Sequence, residues 1–391
     1  MDIHLFSPVS IVSINSISAL GSDSNLIWES YKNNKHYLSN KLTKQGEAIV
    51  ASLTDSDKKQ IEELKNSNKI YKSLDPCVLY SIFASQEAFR QSGWNRSDTI
   101  GVNLGSSRGA TSLFEKHYSS FLKKHKAPTL SSPTTTLGNI SSWVAQHLST
   151  QGPNLSHSIT CSTSLHSVLN ASAWINSGMC DKFIVGGSEA PLTDFTIAQM
   201  QALGIYAKQL NQFPCRALDL DKNYNSMVLG EAAALACLEK GISNKALALI
   251  TGVGYATEIL QNNTSISSTA ECLQKSMRMA MAHINIKDVD IIITHTPGTI
   301  KGDQAEMAAI DSIFSTHMPA ITTNKWKLGH TLATSGLLSV ELATLMIKHQ
   351  NYIGVPYLKQ QKLPSRIENI LVNSVGFGGN AVSLLISKPK Q

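Results

Sequence analysis

Charge is scarce in this chain of 391 residues: Asp, Glu, Lys and Arg make up 16% of it, where about a quarter is usual in soluble domains. A low charged fraction implies extensive burial, a subunit interface included. Aromatic residues are few too, at 6%, but 42% of the chain is hydrophobic. That is enough for a large core, and for more than one domain or a duplicated one. No apolar run reaches the length of a membrane span. The opening "MDIHLFSPVSIVSINSISALG" has no basic cluster before its apolar stretch and reads as a first strand, not a signal peptide. The six cysteines, Cys77, Cys161, Cys180, Cys215, Cys237 and Cys272, form no CxxC and no zinc-type spacing with histidine, so no metal is expected and reduced cytosolic thiols are. There is no strand–GxGxxG–helix and no P-loop, which removes a nucleotide-binding α/β protein. No Lys/Arg run is dense enough for nucleic acid. The formal net charge of +6 suits an acidic protein partner.

What is present is an alternation. Strand-like "SIVSINSISALG", "TIGVNLGSS" and "KFIVGGSEA" are separated by the helical "SLDPCVLYSIFASQEAFRQSG", ending at Gly93, and "TSLHSVLNASAWINSGMC". The second half repeats the scheme: strand-like "ALALITGVGYATE" and "VDIIITHTPGT", helical "STAECLQKSMRMAMAHINI" and "SGLLSVELATLMIKH", then "ENILVNSVGFGGNAVSLLISK" as two strands around a glycine turn. The pattern is α/β layering, in two halves of similar order that meet near residues 240 to 246. The expected division is 1–242 and 243–391, sharing one continuous core.

Chemistry concentrates in a few stretches. In "ITCSTSLHSV" a thiol stands between a β-branched run and a helix. Cys161 is there as buried filler, as a metal ligand, or as a nucleophile at a helix start, where the macrodipole would lower its pKa. Downstream, "THTPGTIKGDQAE" places His295 at the end of an apolar strand. "NKWKLGHTLATSG" places Lys325 five residues before His330 in a glycine loop. "NSVGFGGNAV" is a glycine-rich turn whose amides could cradle an oxyanion. Two histidines in Gly/Thr loops of one half, with a thiol in the other, favour the nucleophile. His166 and Cys215 read as structural.

In this order, "TCSTSLHSV", "IVGGSEAP", "HTPGTIKGDQAE", "KWKLGH" and "NSVGFGGN" resemble an elongating β-ketoacyl-acyl-carrier-protein synthase of the thiolase superfamily, from about residue 100 to the end. The resemblance implies the thiolase fold, two βαβαβαββ halves in a five-layered α/β/α/β/α sandwich. It also implies a homodimer, or a heterodimer with a related chain. The implied reaction is a decarboxylating Claisen condensation in the cytoplasm, without a cofactor, on substrates carried by the phosphopantetheine arm of acyl carrier protein.

The roles it implies are specific. Cys161 is the acyl acceptor. The amides of Cys161 and Phe377 form the oxyanion hole, and Phe377, between Gly376 and Gly378, gates the site. His295 and His330 stabilise the enolate oxygen, Lys325 anchors them, and Glu306 and Asp303 support the histidine loop. "LSSPTTTLGNISSWVAQHL" resembles a dimer-interface segment that lines the acyl pocket. Lys123, Lys124 and Lys126 of "FLKKHKAP" are candidates for docking the acidic carrier.

Departures point to a specialised pathway. Asn380 follows Gly379 without the usual Thr, Val375 precedes the glycine turn, "CRALDLDKNYNSMVLGEAAA" carries extra residues and no Asp-Gly, and "GSSRGAT" replaces a glycine-rich loop. "GSSRGAT" and "TTTLGNISSW" resemble the aryl-polyene branch. A thiolase would need a second cysteine in residues 373 to 380, which have none. The remaining alternative is a non-catalytic chain-length-factor-like partner, a type that loses its nucleophile.

Overall fold

A computed structural model describes residues 7–137, 139–260, 266–359 and 361–390. Its first sheet runs in space Val9–Ile17, Ala232–Lys240, Lys182–Glu189, Ile100–Gly105, Asn154–His157. The second runs Ala248–Thr257, Asn380–Ser387, Asn369–Gly376, Ile291–Ile293, Ala320–Thr322. Numbered along the chain within its own half, each sheet has the order 1-5-4-2-3. The pairings also match: antiparallel, antiparallel, parallel, parallel from the first strand inward in both. The repeat read from the sequence is thus a repeat of topology, and the first half's last strand ends at Lys240 with the second's first starting at Ala248.

Side-chain alternation builds the layers. Along Lys182–Glu189, Phe183 and Val185 face a core shared by both sheets, while Ile184 faces the opposite side, as a strand buried on two faces requires. Helices Thr163–Asn176 and Ser335–His349 fill the shared middle layer. Gly336 lets them approach, since a Cβ there would lie 2.6 Å from Leu165 Cγ. Helices Pro76–Ser92 and Asn139–Leu148 cover the outer face of the first sheet, and Glu271–Ala280 and Ile300–Phe314 that of the second. The result is the five-layered thiolase sandwich.

The helix Pro76–Ser92 shows how local signals fix an element. Asp75 accepts from the Cys77 amide, proline stands in the first turn, and Gly93 closes the helix at φ 67°, as capping chemistry demands. Some boundaries differ from the sequence reading. The strand before the thiol is Asn154–His157 and stops short of Ile159. The helix in "STAECLQKSMRMAMAHINI" is only Glu271–Ala280. The strand before His295 ends at Ile293. "FLKKHKAP" is not a simple loop: Lys123 and Lys124 close the helix Thr111–Lys124, and His125 caps it in the left-handed region. The hairpin Ser39–Thr43 and Gly46–Ala51, which pairs with Leu229–Gly230, went unread because its first strand is largely exposed and lacks a clean alternation.

Candidate active site

The carboxyl ends of the parallel strands of both sheets meet at one cavity of about 450 Å³. Cys161, His295, His330, Glu306, Gly376 and Phe377 all line it, so these residues converge from four separate stretches of chain, while Lys325, Asp303 and Gly378 are not among the lining residues.

Cys161 sits on a tight elbow between strand Asn154–His157 and helix Thr163–Asn176. Thr160 before it has φ 46°, a conformation sparsely allowed for a β-branched residue. Its carbonyl accepts from Ser107 Oγ at 2.7 Å and Thr163 Oγ1 at 2.6 Å. The glycine turn packs directly on this elbow. Thr160 Oγ1 donates to the Phe377 carbonyl at 3.2 Å, and Ser374 Oγ to the Cys161 carbonyl at 3.2 Å. Gly376 is required because a Cβ would come within 1.9 Å of Thr160 Oγ1. Gly378 and Gly379, at φ 93° and 71°, turn the chain so that Phe377 is left 40% exposed at the cavity.

The thiol is not poised as the helix dipole alone suggests. Burial pushes Cys161 up to about 12, the Glu189 carboxylate pushes the same way, and Lys325 opposes them. The expectation of a lowered pKa fails because desolvation of a buried thiolate outweighs a dipole acting from one helix end.

The two imidazoles stand 5.2 Å apart between ring centres and nearly perpendicular, at 87°. The Glu306 carboxylate accepts from the amides of His295 at 3.0 Å and Thr296 at 2.8 Å, and from Asn373 Nδ2 at 3.1 Å. His330 is gripped through its backbone: its amide donates to the Val228 carbonyl at 2.6 Å and its carbonyl accepts from Gly230 at 3.0 Å. Burial, with Lys325 adding to it, pushes His330 down to about 3 and His295 well below its ordinary range. Both rings are therefore neutral. Neither Nδ1 has a hydrogen-bond partner among the described residues.

Lys325 opens the short helix Lys325–Leu328 rather than a loop. It is 1% exposed, and burial lowers it to about 8, with Glu306 as the largest opposing influence. Asp303 does not pair with it. Its ion pair is with Lys222 at 2.7 Å, both buried, and it also accepts from the Leu218 amide at 2.8 Å and Gly298 at 3.1 Å. Lys222 lies in the stretch with extra residues, whose length was legible and whose partner was not. The apolar wall, including Met200, Ile205, Met227 and Leu332, also escaped the sequence reading, because these residues carry no motif. None of the described residues 130–148 lines the cavity, so the Ser-rich segment does not shape the pocket of its own chain.

Comparison with known proteins decides the family. The model of the β-ketoacyl synthase N-terminal domain matches residues 7–242, and that of the C-terminal domain residues 247–355. The chain belongs to the β-ketoacyl synthase family. This ketosynthase is 28% identical to "3-oxoacyl-[acyl-carrier-protein] synthase 1" of Buchnera aphidicola subsp. Baizongia pistaciae, over 82% of the chain and 84% of the relative. It is 25% identical to nodulation protein E of Rhizobium leguminosarum bv. trifolii, over 89% and 88%. Among solved structures, the ishigamide ketosynthase/chain length factor superposes with a TM-score of 0.84 at 18% identity, covering 98% of this chain and 99% of that one. The ketosynthase ApeO in complex with its chain length factor ApeC, from Xenorhabdus doucetiae, gives 0.77 at 21%, covering 99% of each. These likenesses show the fold.

Proposed function

We propose that this ketosynthase is a 3-oxoacyl-[acyl-carrier-protein] synthase, an acyltransferase that condenses an enzyme-bound acyl group with malonyl carrier protein and releases carbon dioxide. The observation that carries this is the convergence of Cys161, His295 and His330 on one cavity, with the buried Lys325 acting on all three.

In the first half-reaction the Cys161 sulfur bonds to the acyl carbon, the carrier sulfur departs, and the thiol proton leaves with it. Cys161 and Phe377 both line the cavity, and the glycine turn that carries Phe377 packs on the Cys161 elbow. Their amides serve the oxyanion of the tetrahedral intermediate. The Lys325 charge favours the thiolate against the burial that opposes it. In the second half-reaction malonyl thioester loses carbon dioxide. The electron pair left behind forms an enolate, whose oxygen takes hydrogen bonds from neutral His295 and His330. Its carbon then attacks the acyl group and expels the Cys161 sulfur. Glu306, with its two bonds to the 295–296 backbone, holds the histidine loop and stays out of the chemistry.

The substrates arrive on the phosphopantetheine arm of an acyl carrier protein, with no further cofactor. We place the reaction in the cytoplasm, in specialised chain elongation of the aryl-polyene or polyketide-like kind. The protein works as a dimer with itself or with a related chain, divided into halves 1–242 and 243–391. Carrier docking is assigned to Lys123, Lys124 and Lys126, all exposed. A chain-length-factor role is the poorer reading, since such partners lose the nucleophile that stands here in a complete site.

Intact-mass analysis after incubation with carriers loaded with acyl groups of several lengths tests the proposal. Cys161 gains the acyl mass and Cys161→Ala does not. An alanine variant acylated elsewhere to the same extent refutes the assignment.

A further inference from the structure

Behind the nucleophile lies an acid that the reaction does not use. Glu189 ends strand Lys182–Glu189 and is 0% exposed. One carboxylate oxygen accepts from the Ser107 amide; the other is buried with no partner among the described residues. The Ser106 hydroxyl and the Ala333 amide face the same group without satisfying that second oxygen. No cation is among these contacts. A buried carboxylate with an idle oxygen and no counter-ion is a costly feature, so its neighbours are the place to look for its effect.

Those neighbours are the nucleophile's supports. Ser107, held by Glu189 through its amide, donates its hydroxyl to the Thr160 carbonyl at 2.7 Å. Thr160 is the residue at positive φ that aims Cys161. Ala333 belongs to the turn that follows His330. Glu189 thus spans the loop after strand Ile100–Gly105, the elbow, and the second-half turn behind His330. Its charge acts on Cys161 and on Cys77, where Asp75 pushes in the same direction; Lys325 acts on Cys161 with the opposite sign.

We propose that Glu189 is a positioning residue for the nucleophile: its carboxylate clamps the elbow that presents Cys161, and as an anion it opposes formation of the Cys161 thiolate. This deepens the reading of Cys161 as acyl acceptor and rests on it. Burial holds the Glu189 carboxyl up at about 7. Below that value it is neutral and leaves Cys161 alone; above it the full charge opposes the thiolate.

The test is the rate of Cys161 alkylation by iodoacetamide against pH, read by peptide mass with Cys161→Ala as the blank. Glu189→Gln keeps an oxygen for the Ser107 amide and removes the charge. The rate ratio of Glu189→Gln to the natural protein is expected to be near one below about pH 6 and to rise to about three- to tenfold above about pH 8. In the natural protein alone, the logarithm of the rate rises with less than unit slope between about pH 6 and pH 8, because the two groups titrate as a coupled pair. A ratio of one throughout, or the same factor at every pH, overturns the electrostatic role, as does unit slope in the natural protein. Glu189→Asp keeps the charge and withdraws it by one methylene from the Ser107 amide. Its acylation by carrier-bound acyl groups falls, while its alkylation profile keeps the natural shape. Acylation at the natural rate overturns the clamp. If the natural protein accepts no acyl group at all, the proposed function fails, and the alkylation comparison still decides the charge effect.

Discussion

His295 and His330 meet the cavity as neutral donors because burial makes a second proton on either ring unfavourable, and His330 takes one only as the pH falls towards about 3. Decarboxylation by the natural protein is therefore expected to show no imidazole inflection between about pH 5.5 and pH 8, unlike a site with an ordinary histidine. An inflection near pH 6.5 in single-turnover carbon dioxide release would contradict the neutral pair. In the proposed reaction, replacing either ring with alanine removes a donor to the enolate. It should slow decarboxylation by about 10²–10³-fold, in the range for loss of one oxyanion donor. Acylation of Cys161 should fall less, since its oxyanion amides remain. Equal losses in both half-reactions would refute the division of labour. At this scale the sequence was informative where several stretches were read together: they singled out Cys161, His295 and His330, which all line the cavity, and Lys325, which is buried and acts on all three. It was silent on Glu189, which stood inside a matched segment with nothing to mark it, because a buried acid is recognised only by what surrounds it.

Among the elements, the loop that carries His295 is held from two sides by acids of one helix. Glu306 and Asp303 lie three residues apart on Ile300–Phe314, so both face the same loop. Glu306 binds its 295–296 amides, and Asp303 binds Gly298 and the 218–222 segment through Leu218 and Lys222. Both members of the Lys222–Asp303 pair are almost wholly buried, at 2% and 0% side-chain exposure. Removing one charge strands the other, which typically costs about 3–5 kcal/mol. Lys222→Met should therefore destabilise the protein by that amount in denaturant titration, and Lys222→Met with Asp303→Asn should recover much of the loss. A double variant no more stable than the single one would show that the pair is not the source. The periodicity that reveals strands and helices carried the layering, since Lys182–Glu189 and Ser335–His349 are rich in apolar residues that are buried. It could not show that the extra residues after Arg216 deliver a lysine to Asp303, because that contact spans 81 residues of chain and depends on the fold already being formed.

For the whole molecule, the scarcity of charge finds its counterpart in an uncovered apolar stripe. Phe114, Tyr118, Phe121 and Leu122 of helix Thr111–Lys124 are 62%, 56%, 44% and 56% exposed, and at spacings of four, three and one they share one face. Leu130 at 52% and Phe195 at 58% extend the apolar surface. An exposed apolar patch of this kind marks an interface, and here it supports the proposed dimer. The helix ends in Lys123 and Lys124, so a partner seated on the stripe would leave the proposed docking lysines at its margin. Phe114→Lys with Tyr118→Lys should convert the proposed dimer to a monomer in sedimentation at micromolar concentration, since two charges at the centre of an apolar contact remove its driving force and must be desolvated. Light scattering of the natural chain alone then separates the two assemblies. A stable dimer means two copies; a monomer that becomes a dimer only when mixed with a related ketosynthase-like chain means a heterodimer. If the natural chain dimerises and the double lysine variant dimerises just as tightly, the stripe is not the contact.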